Sequence, residues 1–189
     1  MGQGKTKSAV ILKLQGNIGV AAYGVIANLS LVVTSVYTGI AQGIQPILSR
    51  LYGYGDAESI KQTLKYAIRL MLFISVGIYL SLFMAAGPVV GLFNSEQNIQ
   101  LQQIAETGLK LYFTSIPFVG FNIVISTYFT STEKSLPGQI VSLSRGFIVI
   151  IPMAFLLSFI FRMAGVWLSY PLTEGVVALT GIILYKKGY

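Results

Sequence analysis

Residues 163–185 read MAGVWLSYPLTEGVVALTGIILY. One acid, Glu174, stands near the middle of this run, and no base does. A helix needs roughly 20 apolar residues to cross a bilayer core, so the run is long enough to span it. A charged side chain at the centre of such a span costs ~2.5 kcal/mol or more. Acids at that depth face a protein interior or a wet cavity, and they often mark an ion or substrate path. The plainer role is a structural hydrogen bond to a neighbouring helix. As a functional group the acid has two options, pairing a cationic solute or accepting a proton. In either role it is expected to face the interior of a helix bundle. It is also expected to be largely protonated at neutral pH, because desolvation disfavours its charge.

The rest of the chain extends this reading. Of 189 residues, 54% are hydrophobic and only 10% are charged, with a mean hydropathy of +0.73. Soluble domains carry about 25% charged residues, so the expected fold is all-α, a polytopic transmembrane helix bundle. No secretory signal is read at the start, where Lys5, Lys7 and Lys13 surround only a short apolar stretch. The chain has no Cys and no His. That excludes disulfides, thiolate chemistry, imidazole-ligated haem or zinc, and a Ser-His-Asp triad from its own residues. Neither an enzyme nor a bound cofactor is expected. The net charge of +7 is scattered at span ends instead of gathered on one face, so nucleic acid is not an expected partner; the lipid bilayer is.

Apolar runs define about five spanning helices, over residues 18–49, 64–92, 104–130, 140–161 and 164–185. Residues 1–17 read as a tail carrying the remnant of a preceding helix, and residues 18–189 as the membrane domain. Cations set the orientation. Arg50, Lys61, Lys65, Arg69, Lys134, Arg145, Lys186 and Lys187 fall on one side, against Lys110, Arg162 and the three tail lysines on the other. This puts the 51–59 loop, the 131–138 loop and the C-terminus in the cytoplasm, for a multi-pass protein of the cell membrane. The tail lysines then lie on the wrong side, which suggests missing upstream sequence. Arg69 and Arg145 are read as snorkelling from span ends.

The stretch GNIGVAAYGVIANL, followed by GIAQGIQPILSRLYGYGD, resembles the multidrug and toxic compound extrusion (MATE) exporters. Gly39, Gln42, Gly43, Gln45, Pro46 and Gly53 carry the resemblance, which extends over residues 9–187. It implies five of the six helices of a C-terminal lobe, with residues 9–16 as the end of a seventh helix in a twelve-helix protein. The implied activity is export of organic cations, coupled to H+ or Na+. Such transport needs two lobes rocking about a midplane site. A single lobe is therefore expected to be inactive alone, and to need a missing N-terminal lobe or another copy.

Polar stripes mark candidate pathway residues. Asn28, Ser35, Thr38, Gln42, Gln45 and Ser49 share one helical face. Such a stripe should face protein or water, since hydrocarbon cannot hydrogen-bond it. Close interhelical packing explains the Ser and Thr positions, and cavity lining competes with it at Gln42 and Gln45. Tyr112, Ser115, Asn122, Ser126 and Thr130 form a second face around Pro117. Proline at 46, 117, 152 and 171 signals either kinks or the broken helices of a binding site. Glu106 and Lys110 are spaced for a local ion pair. Trp167, Tyr170 and Tyr185 fit either an interfacial belt or a cavity wall. The pathway candidates are thus Glu174, Gln42, Gln45, Asn28, Asn122 and Tyr112. Two other readings stand beside the exporter. One is an inactive gene remnant or accessory membrane fragment. The other is a lipid-linked saccharide flippase, which the apparent lack of midspan cations disfavours.

Overall fold

The structure, a computed structural model, describes residues 2–188, apart from the side chains of residues 2–10 and 12–15. The side chains of Lys5, Lys7 and Lys13, on which part of the orientation argument rests, lie outside the described residues. The described residues form helices and turns without strands. In chain order the helices are α1 (Gly2–Gly53), α2 (Ala57–Met84), α3 (Ala86–Gly91), α4 (Ile99–Tyr112), α5 (Ile116–Ser131), α6 (Ser135–Leu143) and α7 (Ile150–Lys186). A 3-10 turn, Phe113–Ser115, joins α4 to α5, and a π-helical turn, Ser144–Ile148, leads from α6 toward α7.

Local chemistry explains the breaks. α1 kinks at Gly16, whose φ of 64° suits glycine. At the 51–59 loop Gly55 takes φ 71°, and Asp56 then caps α2 by accepting the Ser59 amide at 3.0 Å. Asn98 caps α4 in the same way through the Leu101 amide. The expected second span does not run unbroken to Leu92. It stops at Ala85 and restarts as α3, where Pro88 lacks the amide a longer helix would need. Pro117 lies in the first turn of α5, where proline is tolerated, and the 3-10 turn precedes it.

Four helical stretches are long and apolar enough to cross a membrane: Gly16–Gly53, Ala57–Met84, Ile99–Ser131 and Ser135–Lys186. The last holds both the fourth and fifth expected spans. Arg162 inside it has φ 50° and ψ −125°, and Gly165 packs on the carbonyl of Leu157. Eight residues along a straight helix would separate those two by about 12 Å. The chain therefore doubles back at Arg162, and the five-span expectation survives as two antiparallel arms within α7.

α5 is central, touching α1, α2, α6 and α7. Glycines let helices approach closely around it. A Cβ on Gly120 would strike the Met71 sulfur, and one on Gly108 would lie 2.6 Å from the Trp167 ring. Trp167 is buried there and stacks on Tyr23 with ring centroids 6.0 Å apart, so it belongs neither to a belt nor to a cavity wall. Leu70, Phe73 and Val76 of α2 and Leu172, Leu179 and Ile183 of α7 are exposed, as hydrocarbon-facing residues should be.

Candidate functional site

The buried centre of the bundle holds a polar cluster built from five elements. Glu174 on the second arm of α7 is fully buried. Its Oε1 accepts from Arg145 Nε at 2.6 Å, and its Oε2 accepts from Asn122 Nδ2 at 2.8 Å. The same amide also donates to the Glu174 carbonyl at 2.9 Å, clamping α5 to α7. Tyr170, one helical turn before Glu174, lies beside both Arg145 and Glu174. Tyr170 stacks on Tyr112 of α4 with centroids 4.5 Å apart and planes 5° from parallel. The Tyr112 hydroxyl lies 3.4 Å from Ser30 Oγ on α1.

Glu174 faces the bundle interior, as expected, and it is not isolated there. The Arg145 guanidinium lies directly against its carboxyl group. Arg145 does not snorkel. It lies about 15 Å along the helix from Ser135. Its side chain is 24% exposed and reaches inward to Glu174. The midspan region therefore does contain a cation, and that argument against a flippase falls.

Backbone geometry explains how Arg145 gets there. The Val149 amide bonds back to the Ser144 carbonyl, five residues earlier, at 3.0 Å. This single π turn inserts one residue into the helical register; π turns recur at functional sites. On the facing arm, Ser169 and Thr173 hydroxyls bond back to Val166 and Ser169 carbonyls at 2.7 and 2.6 Å around Pro171. One atom of the cluster remains unmatched. Asn122 Oδ1 is buried without a hydrogen-bond partner, a state worth about 1–3 kcal/mol in lost solvation.

The structure brings together three of the six sequence candidates: Glu174 and Asn122 in direct contact, and Tyr112 through Tyr170. Asn28, Gln42 and Gln45 are elsewhere. Their side chains are exposed on α1, with no side-chain hydrogen bond among the described residues. Ser35 and Thr38 on the same face are exposed too, and their hydroxyls bond back to Leu31 and Thr34. Among the described residues, the stripe therefore does not pack against other helices. Sequence reasoning missed Arg145 and gave Tyr170 no partner. The signal was present in the cost of burying Glu174, which calls for a cation on a facing span. Glu106 and Lys110 do not form the expected ion pair. Glu106 accepts from Gln102 at 2.7 Å, and Lys110 lies over the Phe83 ring, 5.2 Å from its centroid.

The fold has close counterparts among solved transporters. The Vibrio cholerae MATE transporter VcmN, solved as a point mutant, superposes with a TM-score of 0.90 at 18% identity, over 98% of this chain and 42% of that one. An outward-facing MATE family multidrug resistance transporter of the MOP superfamily gives 0.91 at 16% identity, over the same two fractions. Among curated relatives, a FAD transporter of Shewanella oneidensis is 25% identical over 94% of this chain and 39% of its own length. The multidrug export protein MepA of Staphylococcus aureus is 25% identical over 89% of this chain and 37% of its own. The chain thus spans about two fifths of the length of these relatives. The profile of the MatE family matches residues 6–156, which contain Asn122 and Arg145 but not Glu174. With a family match over most of its length and a lobe fold shared with solved transporters, this multi-pass membrane chain belongs to the MATE family.

Proposed function

We propose that this chain forms one lobe of a proton- or sodium-coupled exporter of organic cations in the cell membrane, with its C-terminus in the cytoplasm. The observation that carries the reading is the buried Arg145–Glu174 pair, with Asn122 and its unmatched oxygen beside it. A protonated Glu174, or a cation held by Glu174 and Asn122 Oδ1, would weaken the hold on Arg145. This gives a coupling ion a way to change how two helix arms are joined. Paired with Arg145, Glu174 offers no net charge to a cationic solute, which favours the coupling role over direct cargo binding. The exposed stripe of Asn28, Gln42 and Gln45 would line the path shared with a second lobe, whether an N-terminal lobe or another copy. One lobe leaves that path open on one side, so the lobe is not expected to transport by itself. Without Arg145, seven of the eight cations assigned to the cytoplasmic side remain there by sequence.

The test is efflux of a cationic dye from pump-deficient cells, driven by either gradient. This chain alone should leave efflux at background, and pairing it with a partner lobe should restore efflux. Glu174→Gln in the active pairing should abolish coupling at normal expression. Gradient-driven efflux by the single chain would refute the need for a second lobe. Unchanged coupling in the Gln variant would remove Glu174 from the mechanism. A chain inactive in every pairing would favour the remnant reading. One further cargo class has an observation behind it: a curated relative is by name a FAD transporter, and FAD is an anionic solute. Dye efflux that is absent while nucleotide-like anions move would select it.

A further inference from the structure

A groove of about 420 Å³ opens between α2, α5 and α7 at the end of the bundle holding the 51–59 loop. Its floor is apolar, including Leu64, Ile68, Phe121 and Ile182, and four cations rim it: Lys61, Lys65, Arg69 and Lys186. The first three follow at i, i+4 and i+8 along one face of α2. Among the described residues no acid lies within ion-pair distance of these four. Phe121 and Ile182 also line a second apolar groove, of about 520 Å³, which continues past Leu179 to Leu172. From Ile182 to Leu172 is about 15 Å along a helix, which is half of a roughly 30 Å bilayer core. The flanking α2 and α7 residues are apolar and exposed, so both grooves open toward hydrocarbon.

We propose that this composite groove binds one anionic diacyl phospholipid, its phosphate held by Lys61, Lys65, Arg69 and Lys186 and an acyl chain laid over Phe121, Ile182 and Leu179. Charge complementarity selects the headgroup, since basic pockets between spans attract anionic lipids. The one-leaflet length of the apolar trough selects a lipid over a free anion. The site stands apart from the Arg145–Glu174 cluster and does not rest on the proposed cargo or coupling.

Native mass spectrometry of the purified chain tests it, with phosphatidylglycerol and phosphatidylcholine of identical acyl chains and inorganic phosphate as competitor. Phosphatidylglycerol should bind at least tenfold more tightly than phosphatidylcholine. Lys61→Gln, Lys65→Gln and Arg69→Gln together should cut that preference by about fivefold per cation removed, leaving at most what Lys186 supports. Leu179→Trp should weaken both lipids and leave their ratio unchanged. If the triple variant does not fold, Arg69→Gln alone should show its single fivefold step, and rising salt should shrink the preference of the unaltered chain. Equal binding of the two lipids, or a preference that the cation substitutions leave undiminished, overturns the proposal. Displacement of the lipid by millimolar phosphate also overturns it, since the site would then be an anion site without a chain-binding trough.

Discussion

Arg145→Gln removes the guanidinium and leaves the Glu174 carboxylate fully buried with Asn122 Nδ2 as its side-chain donor of known distance. Breaking a buried pair from one side costs about 3–5 kcal/mol, because the remaining charge is uncompensated. Glu174→Gln is the gentler change. The stranded guanidinium is 24% exposed and can turn toward water, and the Gln side chain can still accept from Asn122. About 1–3 kcal/mol is expected there. Substituting both residues leaves two neutral amides able to bond each other, so the double variant should fall short of the sum by about 2 kcal/mol. Unfolding in mixed micelles gives the readout through Trp167, which is the chain's single tryptophan and is 2% exposed. Additive losses would refute a coupled pair. So would an Arg145→Gln loss no larger than that of the exposed Lys187→Gln.

Three further outcomes follow from the packing. Gly165→Ala places a methyl against the Leu157 carbonyl and should destabilise the reversal at Arg162 by about 3 kcal/mol; a variant of ordinary stability would mean that the two arms separate freely. Ser75 Oγ donates to the Met71 carbonyl at 2.7 Å, so Tyr37 must donate to Ser75 across their 2.8 Å contact. Ser75→Ala strands the buried tyrosine hydroxyl and should cost about 1–3 kcal/mol, more than Tyr37→Phe, which leaves Ser75 satisfied; the reverse ranking in the same unfolding assay would reject this donor assignment. Asp56 is held below its ordinary carboxylate value by the Ser59 side chain and amide. Its contribution to α2 is therefore complete above that ordinary value and fades as pH falls through the lowered one. Amide exchange at Ser59 should quicken below about pH 4 and become pH-independent, beyond intrinsic exchange, in Asp56→Ala.

The spans were legible because apolar runs of bilayer length have few alternatives, and Glu174 was legible because burying an acid is expensive. Asn122 and Tyr112 emerged from helical spacing around a proline. Arg145 did not, because its distance from a span end fits snorkelling as well as it fits a partner. Only the facing helix decides between them, and a sequence does not display it. The π turn was hidden for a related reason. A span apolar on every side gives no periodic contrast from which a slipped register can be read. The stripe on α1 was recognised as a face, but its neighbours were not. Ser35 and Thr38 are exposed where small-residue spacing suggested packing against another helix.

The extra residue at 144–148 gives the span a fixed length. Before it, Pro137, Gly138, Val141 and Ser144 point inward; after it, Ile150, Ala154 and Leu157 do. A regular helix extended from the first set would instead turn Ile148 and Phe155 inward, yet both are more than half exposed. The two halves are therefore out of phase, and removing one residue between them would rotate one half by about 100° relative to the other. Gly138 would leave α5, or Ala154 and Leu157 would turn to lipid, and Arg145 would swing away from Glu174 in either case. Most exposed apolar residues here can be exchanged for one another without consequence. A deletion of any one of them cannot be absorbed, so the constraint on this segment is a count of residues and not a list of kinds.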